Sequence, residues 1–264
     1  ALPNIPQAGV FDTAFHQTMP GYAYMYGVAY HYYEKYKVRR YGFHGTSHFY
    51  VSMRAAEILG KPVEALNIVT CHMGNGSSIA AVKAGKSVDT SMGFSPLPGV
   101  IMGTRCGDVD ALLVSFLAEQ EGIDNKAMSH VLNKESGLLG ISGISSDLRD
   151  IEEAAEGGNQ RAKLAEDMLF YGVKKYIGSY AAGMGGMDVL VFTAGIGENS
   201  AHAREGICSG LEFMGVKIDK EKNKVRGEER IISTDDSRVK VIVIPTDEEL
   251  VIARDTKRLI GSGN

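Results

Sequence analysis

Two glycine-bearing segments follow short apolar runs in this chain. His72-Met73-Gly74-Asn75-Gly76-Ser77-Ser78 follows the run 66–71, and Ala194-Gly195-Ile196-Gly197-Glu198-Asn199-Ser200 follows the run 188–193. Glycines let a backbone turn sharply and come close to a ligand, and the exposed N–H groups of such turns hold phosphate oxygens. The second segment opens into a helix, whose N-terminus favours anions. Asn75-Gly76 is also the strongest short hairpin signal. A hairpin whose turn grips phosphate satisfies both readings. Two such turns from one sheet could clamp a nucleotide between them.

Other residues suit charge handling around a phosphate. Arg105, in GTRCGD (103–108), puts a guanidinium in a glycine-flanked loop, which suits an oxyanion or a moving phosphoryl group. A structural pair with Asp108 or Asp110 is an equal alternative. His44, in YGFHGTSH (41–48), is a candidate donor to an anion. Its spacing from His48 suggests a metal pair, but Gly45 and the helix-capping residues between them argue against one. Asp12 follows a short apolar segment and could orient Mg²⁺ or accept a proton. Glu248 and Glu249 follow the run 240–244 and could reach a metal or begin a helix favourably.

These residues need elements to position them. Residues 46–60 have helical spacing, a Thr46 or Ser47 cap and a terminating Gly60. Strands are expected at 66–72 and 78–82, a turn at 83–86, and an antiparallel continuation at 88–90. The Gly-, Pro- and Ser-rich stretch 91–109 reads as a long functional loop. Helices follow at 108–121, 124–133, 146–156 and 159–182, then a strand at 188–193 and a helix over about 200–214. A strand at 240–244 and a helix at 247–260 close the chain. Mixed strands, an early hairpin and helices between later strands make this α/β.

Rival nucleotide motifs fail on spacing. A dinucleotide fingerprint needs a third small residue at a set interval; that position is Ile79 after the first glycine pair and Ser200 after the second. AAVKAGKS (80–87) imitates a P-loop but has Ala80 where the first glycine belongs, so it reads as a turn between strands.

The 264 residues are 44% hydrophobic and 23% charged, an ordinary composition for one large domain or two smaller ones. The net charge of −4 gives no reason to expect nucleic acid or a membrane surface as partner. Three separated cysteines form no CxxC pattern, which fits a reducing cytoplasm, and no signal peptide is evident. Residues 22–36 hold seven tyrosines, suited to packing between helix and loop or to an aromatic box.

Taken together, FDTAFH (11–16), YGFHGTSH (41–48), HMGNGSS (72–78), GTRCGD (103–108), FTAGIGENS (192–200) and PTDEEL (245–250) resemble the acetate kinase (acetokinase) family of the actin/Hsp70/sugar-kinase superfamily. The resemblance implies a ribonuclease H-like (actin-like ATPase) domain, a mixed β-sheet flanked by helices. It implies reversible transfer of the ATP γ-phosphoryl to acetate, giving acetyl phosphate and ADP, with Mg²⁺. Asp12 would be the active-site acid, orienting Mg²⁺ or the nucleophile, since acetate is already ionised. His44 and Arg105 would stabilise the transition state. His72, Met73, Gly74, Asn75 and Gly76 would form the first ATP loop, and Asp147, Leu148 and Arg149 a contact near the adenosine. Gly195, Ile196, Gly197, Glu198 and Asn199 would form the third contact, and Glu248 would be a Mg²⁺ ligand.

The resemblance further implies a cytoplasmic homodimer, with the tyrosine-rich stretch a candidate contributor to the dimer surface. It suggests that residues 16–249 are the C-terminal nucleotide-binding domain, with 1–15 and 250–264 belonging to an N-terminal domain otherwise absent. The 264 residues alone are then expected to bind adenine nucleotide weakly and not to phosphorylate acetate. Alternatives are a propionate or butyrate kinase of the same family and a non-catalytic actin-like ATP-binding module. An NAD-dependent dehydrogenase is disfavoured by the failed fingerprint.

Overall fold

The computed structural model describes residues 5–261. The parts of the expected flanking segments at 1–4 and 262–264 lie outside the described residues. One six-stranded sheet organises the chain, with spatial order β3-β2-β1-β4-β6-β5. The strands are β1 (Asn67–Met73), β2 (Ser77–Lys83), β3 (Lys86–Thr90), β4 (Val189–Thr193), β5 (Arg230–Ile231) and β6 (Lys240–Val243). β1, β4 and β6 run parallel, while β2, β3 and β5 pair antiparallel. This is the mixed sheet of a ribonuclease H-like α/β fold.

Helices α1 (Gly21–Tyr24), α2 (His31–Tyr36) and α3 (Gly45–Leu59) precede the sheet. α4 (Ala111–Glu121), α5 (Asn125–Lys134), α6 (Gly137–Ser142), α7 (Leu148–Glu156) and α8 (Gln160–Met184) lie between β3 and β4. α9 (Ala194–Asn199) and α10 (Ala201–Cys208) follow β4, and α11 (Glu248–Gly261) follows β6. No described helix is long and apolar enough to cross a membrane.

The parallel strands are largely apolar because helices cover both faces. Val69, Cys71, Leu190, Phe192, Val241 and Val243 join the larger core with α8 and α10. Their neighbours Ile68, Val189, Val191 and Ile242 join the smaller core with Val51 and Ala55 of α3. The period of two therefore puts Thr70 and His72 of β1 on the α3 side. Both are buried polar residues on an otherwise apolar face. The β1–β2 register sets Ser78 opposite His72.

Several expectations hold in detail. The first hairpin closes with a three-residue loop between the paired Met73 and Ser77. The P-loop imitation is a two-residue hairpin turn, with Ala84 and Gly85 both at positive φ (51° and 75°). Such left-handed pairs match the twist of the flanking strands. Residues 91–109 contain neither helix nor strand. Asp110, Asp124, Asp147 and Asn159 cap α4, α5, α7 and α8 through their side chains.

Others differ. The second glycine segment is not a turn before a helix but a short helix, α9, leaving β4 directly through Ala194 at φ 63°. The helix expected over 200–214 stops at Cys208, and a 3₁₀ turn occupies Glu212–Met214. Short helices α1, α2 and α6 and the edge strand β5 were not expected. The tyrosines of 22–36 form a contact group rather than a closed box. Tyr24 meets Tyr33, the Arg39 guanidinium lies 3.8 Å from the Tyr24 ring centre, and Tyr22, Tyr30 and Tyr36 are exposed.

Candidate phosphoryl-transfer site

Arg105 sits in the long loop, and the loop is held by α6. Leu138 N donates to Met102 O (2.9 Å), Leu139 N to Gly103 O (3.0 Å) and Ser136 N to Thr104 O (3.1 Å). The free N–H groups of a helix start thus bind the loop's carbonyls. Gly137 makes this docking possible: its φ is +64°, and a Cβ there would lie 2.1 Å from Met102 O and 2.7 Å from Arg105 O. Gly137→Ala is expected to cost about 2 kcal/mol or more of stability, from strain and overpacking together. Urea unfolding of the variant would read it; an unchanged midpoint would disprove the role.

The Arg105 guanidinium pairs with no carboxylate among the described residues. Nη1 donates to Pro96 O at 3.3 Å and approaches Met102 Sδ at 3.6 Å. Asp108, the first structural alternative, instead accepts from Gly99 N and from the Tyr176 hydroxyl. Asp110 accepts from Leu112 N as a helix cap. Arg105 is therefore a half-buried cation whose charge is available to an anion.

His44 lies beside it. Its backbone is left-handed (φ 55°) at the position preceding α3. A non-glycine residue held there carries strain, a feature that clusters at functional sites. The conformation is held by Asp12: His44 N donates to Asp12 Oδ2 at 2.7 Å, and Gly45 N to Asp12 O at 2.8 Å. The two residues come from distant segments and meet at one helix end. Both His44 Nε2 and Arg105 Nη1 would lie 3.3 Å from a Cβ at Gly76. Gly76 is not among the residues at positive φ, so it serves close approach rather than an unusual backbone.

Behind His44 the side chains form a buried polar cluster. The His44 and His72 rings stack at 4.0 Å, and His72 Nδ1 is 2.8 Å from Ser47 Oγ. Thr246 Oγ1 donates to Ser47 Oγ at 2.9 Å. His48 is fully buried with both ring nitrogens engaged, by Thr70 and Ser78. His48 is therefore a core residue, and no group of three or more metal-binding side chains occurs among the described residues. Burial lowers the pKa of every ring. His72 falls to about 3 and His16 to about 4. His44 is lowered by burial, with the Asp12 carboxylate opposing and Arg105 adding to the effect.

A cleft of about 630 Å³ opens next to this pair. Gly74 and Asn75 line one side, Asp147, Leu148 and Arg149 a second, and Gly195, Ile196 and Asn199 a third. The structure thus brings three separately read segments to one cavity. Asp147 caps α7 and also accepts from the Arg149 side chain, which holds its carboxyl down at about 2. Asp147 is therefore ionised and fixed at neutral pH.

The remaining predicted residues stand differently. Met73 is buried in the larger core. Gly197 is buried, and its carbonyl accepts from Arg204. The Glu198 side chain folds back to accept from Ala194 N (2.7 Å) and Thr246 N (3.2 Å), tying the ends of β4 and β6 together. Glu248 begins α11; Asp247 caps that helix, leaving the Glu248 carboxyl uncommitted. Burial raises the Glu248 pKa, and the nearby Asp12 charge raises it further.

Sequence reasoning missed Ser146, Glu152, Ser200 and Arg226 in the cleft wall. Ser200 was legible as a helix cap: it accepts from Ala203 N while donating to Glu152. It also missed Arg204, fully buried with no carboxylate partner and bonded to Asn223 and to the carbonyls of Gly197 and Val225. An arginine on a helix gives no sign of facing inward until the neighbouring backbone is known.

This arrangement resembles characterised proteins over almost all of its length. The acetokinase family pattern matches residues 1–254. An acetate kinase of Phocaeicola vulgatus is 63% identical over 259 residues, covering 98% of this chain and 65% of the relative. The crystal structure of Porphyromonas gingivalis acetate kinase superposes with a TM-score of 0.96 at 55% identity, over 98% of this chain and 65% of that one. A propionate kinase structure from Francisella tularensis gives 0.91 at 44%, over 97% and 65%. The chain thus spans about two thirds of the length of these relatives. With the family pattern, the fold and the converging segments in agreement, this chain belongs to the acetokinase family.

Proposed function

We infer that this chain supplies the nucleotide cleft and the charge-stabilising pair of an acetate kinase, moving the γ-phosphoryl of ATP to acetate, reversibly, with acetyl phosphate and ADP as products. The observation that carries the reading is the convergence of Arg105 Nη1 and His44 Nε2 beside Gly76, at the edge of the three-walled cleft. Phosphoryl transfer needs positioning and neutralisation of the equatorial oxygens more than covalent chemistry. An arginine without a carboxylate partner and an imidazole donor next to a phosphate-sized opening meet that need.

Gly74, Asn75, Gly195, Ile196 and Asn199 would hold the nucleotide, with Asp147 and Arg149 towards the adenosine. Acetate needs no base, because it is ionised near neutral pH. Asp12 therefore acts by position: one oxygen holds His44, and the other is free to face the reacting groups. Asp12 and Glu248 fit Mg²⁺, which takes one or two carboxylates and keeps its other positions for water and phosphate. Bound there, Mg²⁺ would neutralise phosphate charge.

Acetate is supported over propionate by the 63% and 55% identity to two bacterial acetate kinases, against 44% to the propionate kinase. A homodimer and a cytoplasmic setting complete the reading, the exposed tyrosines of 22–36 offering contact surface. Residues 16–249 are the nucleotide-binding domain in this reading, with the flanks belonging to a second domain.

Calorimetric titration with MgADP and with NAD tests the nucleotide class. MgADP binding, weakened about tenfold or more in Asn75→Ala plus Arg149→Ala, is expected, and no heat with NAD. Tighter binding of NAD would reject the proposal. In a protein that also carries the second domain, hydroxamate trapping of acetyl phosphate, with acetate and propionate compared, tests the acceptor.

A further inference from the structure

His44 makes no hydrogen bond through Nε2 among the described residues, and this nitrogen faces the edge of the cleft. Its Nδ1 lies 2.9 Å from Ser78 Oγ. The same hydroxyl lies 2.7 Å from His48 Nε2, and His48 Nδ1 lies 2.7 Å from Thr70 Oγ1. Thr70, Ser78 and His48 are each fully buried, and among the described residues their side chains make no other hydrogen bond. Three elements contribute: β1, β2 and α3.

Burial keeps the His48 ring neutral at pH 7, its pKa well below the ordinary imidazole range. A neutral imidazole donates through one nitrogen and accepts through the other, and a hydroxyl has one hydrogen to give. Only two proton arrangements then satisfy all three bonds. In the first, Thr70 donates to His48 Nδ1, His48 Nε2–H donates to Ser78, and Ser78 donates to His44 Nδ1. In the second every bond reverses, and the Thr70 hydroxyl accepts from His48. Its own hydrogen then has no acceptor in a fully buried position. A stranded buried donor disfavours that arrangement by about tenfold or more.

We propose that Thr70, His48 and Ser78 are positioning residues that fix His44 as its Nε2–H tautomer, so that the ring donates a hydrogen bond to an oxyanion at the edge of the cleft and does not act there as a base. The identity of that oxyanion as a phosphoryl oxygen rests on the acetate kinase reading; the tautomer does not. The chain of hydroxyls and rings carries no net proton. It sets which way an existing one points, through two hydroxyls and one buried ring.

The test is nitrogen NMR of the ¹⁵N-histidine-labelled protein at pH 7.5 with no nucleotide present. His44 and His48 are each expected to show a protonated Nε2 and a bare Nδ1, in a ratio of about ten to one or more. Ser78→Ala and His48→Phe cut the chain at different links. Each is expected to turn His44 into a mixture, with at least about a threefold rise in the Nδ1–H form. Backbone amide spectra identify which variants are folded. A protonated Nδ1 on His44 in the unaltered protein overturns the proposal, and so does an unchanged His44 ratio in a folded variant. The spectrum needs no turnover, so a failed kinase assay and a wrong tautomer are separate results.

Discussion

On the acetate kinase reading, and in a protein that also carries the second domain, Arg105→Ala is expected to lower acetyl phosphate turnover by about 10³-fold or more, while MgADP affinity stays within about threefold. The asymmetry follows from where the guanidinium sits. It is not among the residues that line the three-walled cleft, and it lies beside His44 and Gly76. Its contacts within the protein are a carbonyl and a thioether, which do not neutralise it. A cation so placed gains most from charge that builds during transfer, and interactions made only then appear in kcat. Arg105→Lys should recover little, because an ammonium lacks the planar two-pronged donor set. Turnover within about tenfold of the unaltered protein would mean that the charge acts elsewhere.

Placement of this arginine shows what a sequence can and cannot carry. GTRCGD marks a loop of unusual composition, and the absence of regular structure in 91–109 agrees. What holds the loop does not show in the residues. α6 is six residues long and begins with glycine, so neither helical periodicity nor propensity marks it. Its role becomes visible only when its N–H groups meet the carbonyls of 102–104.

The strands are legible for the opposite reason. β1, β4 and β6 are buried on both faces, and a mostly apolar run is the direct trace of that. Helix starts at Asp110, Asp124 and Asn159 are legible through their caps. Thr70, Ser47, Ser78 and Thr246 are not. Each reads as an ordinary strand or cap residue, and their common purpose appears only where β1, β2, α3 and the chain after β6 converge on His44 and His72. Glu198 is the instructive reversal. A glutamate in a phosphate-binding segment looks like a ligand contact, yet its carboxylate is spent on the backbone at Ala194 and Thr246.

Acidification is expected to unfold this protein steeply below about pH 6.5, because the histidines that build the site are buried neutral. His16 titrates at about 4 and His72 at about 3 in the folded chain, and burial holds His48 well below its ordinary value. In the unfolded chain each binds its proton near pH 6.5. Between those values the unfolded state holds more protons, so stability rises with pH across the window and falls as pH drops through it. Each such histidine contributes about 1.4 kcal/mol per pH unit. His16 and His72 alone therefore remove about 3 kcal/mol between pH 6.5 and 5, and His48 acts in the same direction. That is a large part of the 5–15 kcal/mol typical of a folded domain. Glu152 and Glu248 work against the trend, since burial raises both and they take up protons earlier when folded. Their window lies in the carboxylate range, at the acid end of the histidine window. Urea unfolding at half-unit steps from pH 7.5 to 5 should give a slope that steepens to about two protons or more below about pH 6, or about 2.7 kcal/mol per pH unit. Replacing His16 or His72 with glutamine should flatten that slope by about one proton each. A slope below one proton across this window would show that the rings are solvated and chargeable, and the buried cluster behind His44 would not exist in solution.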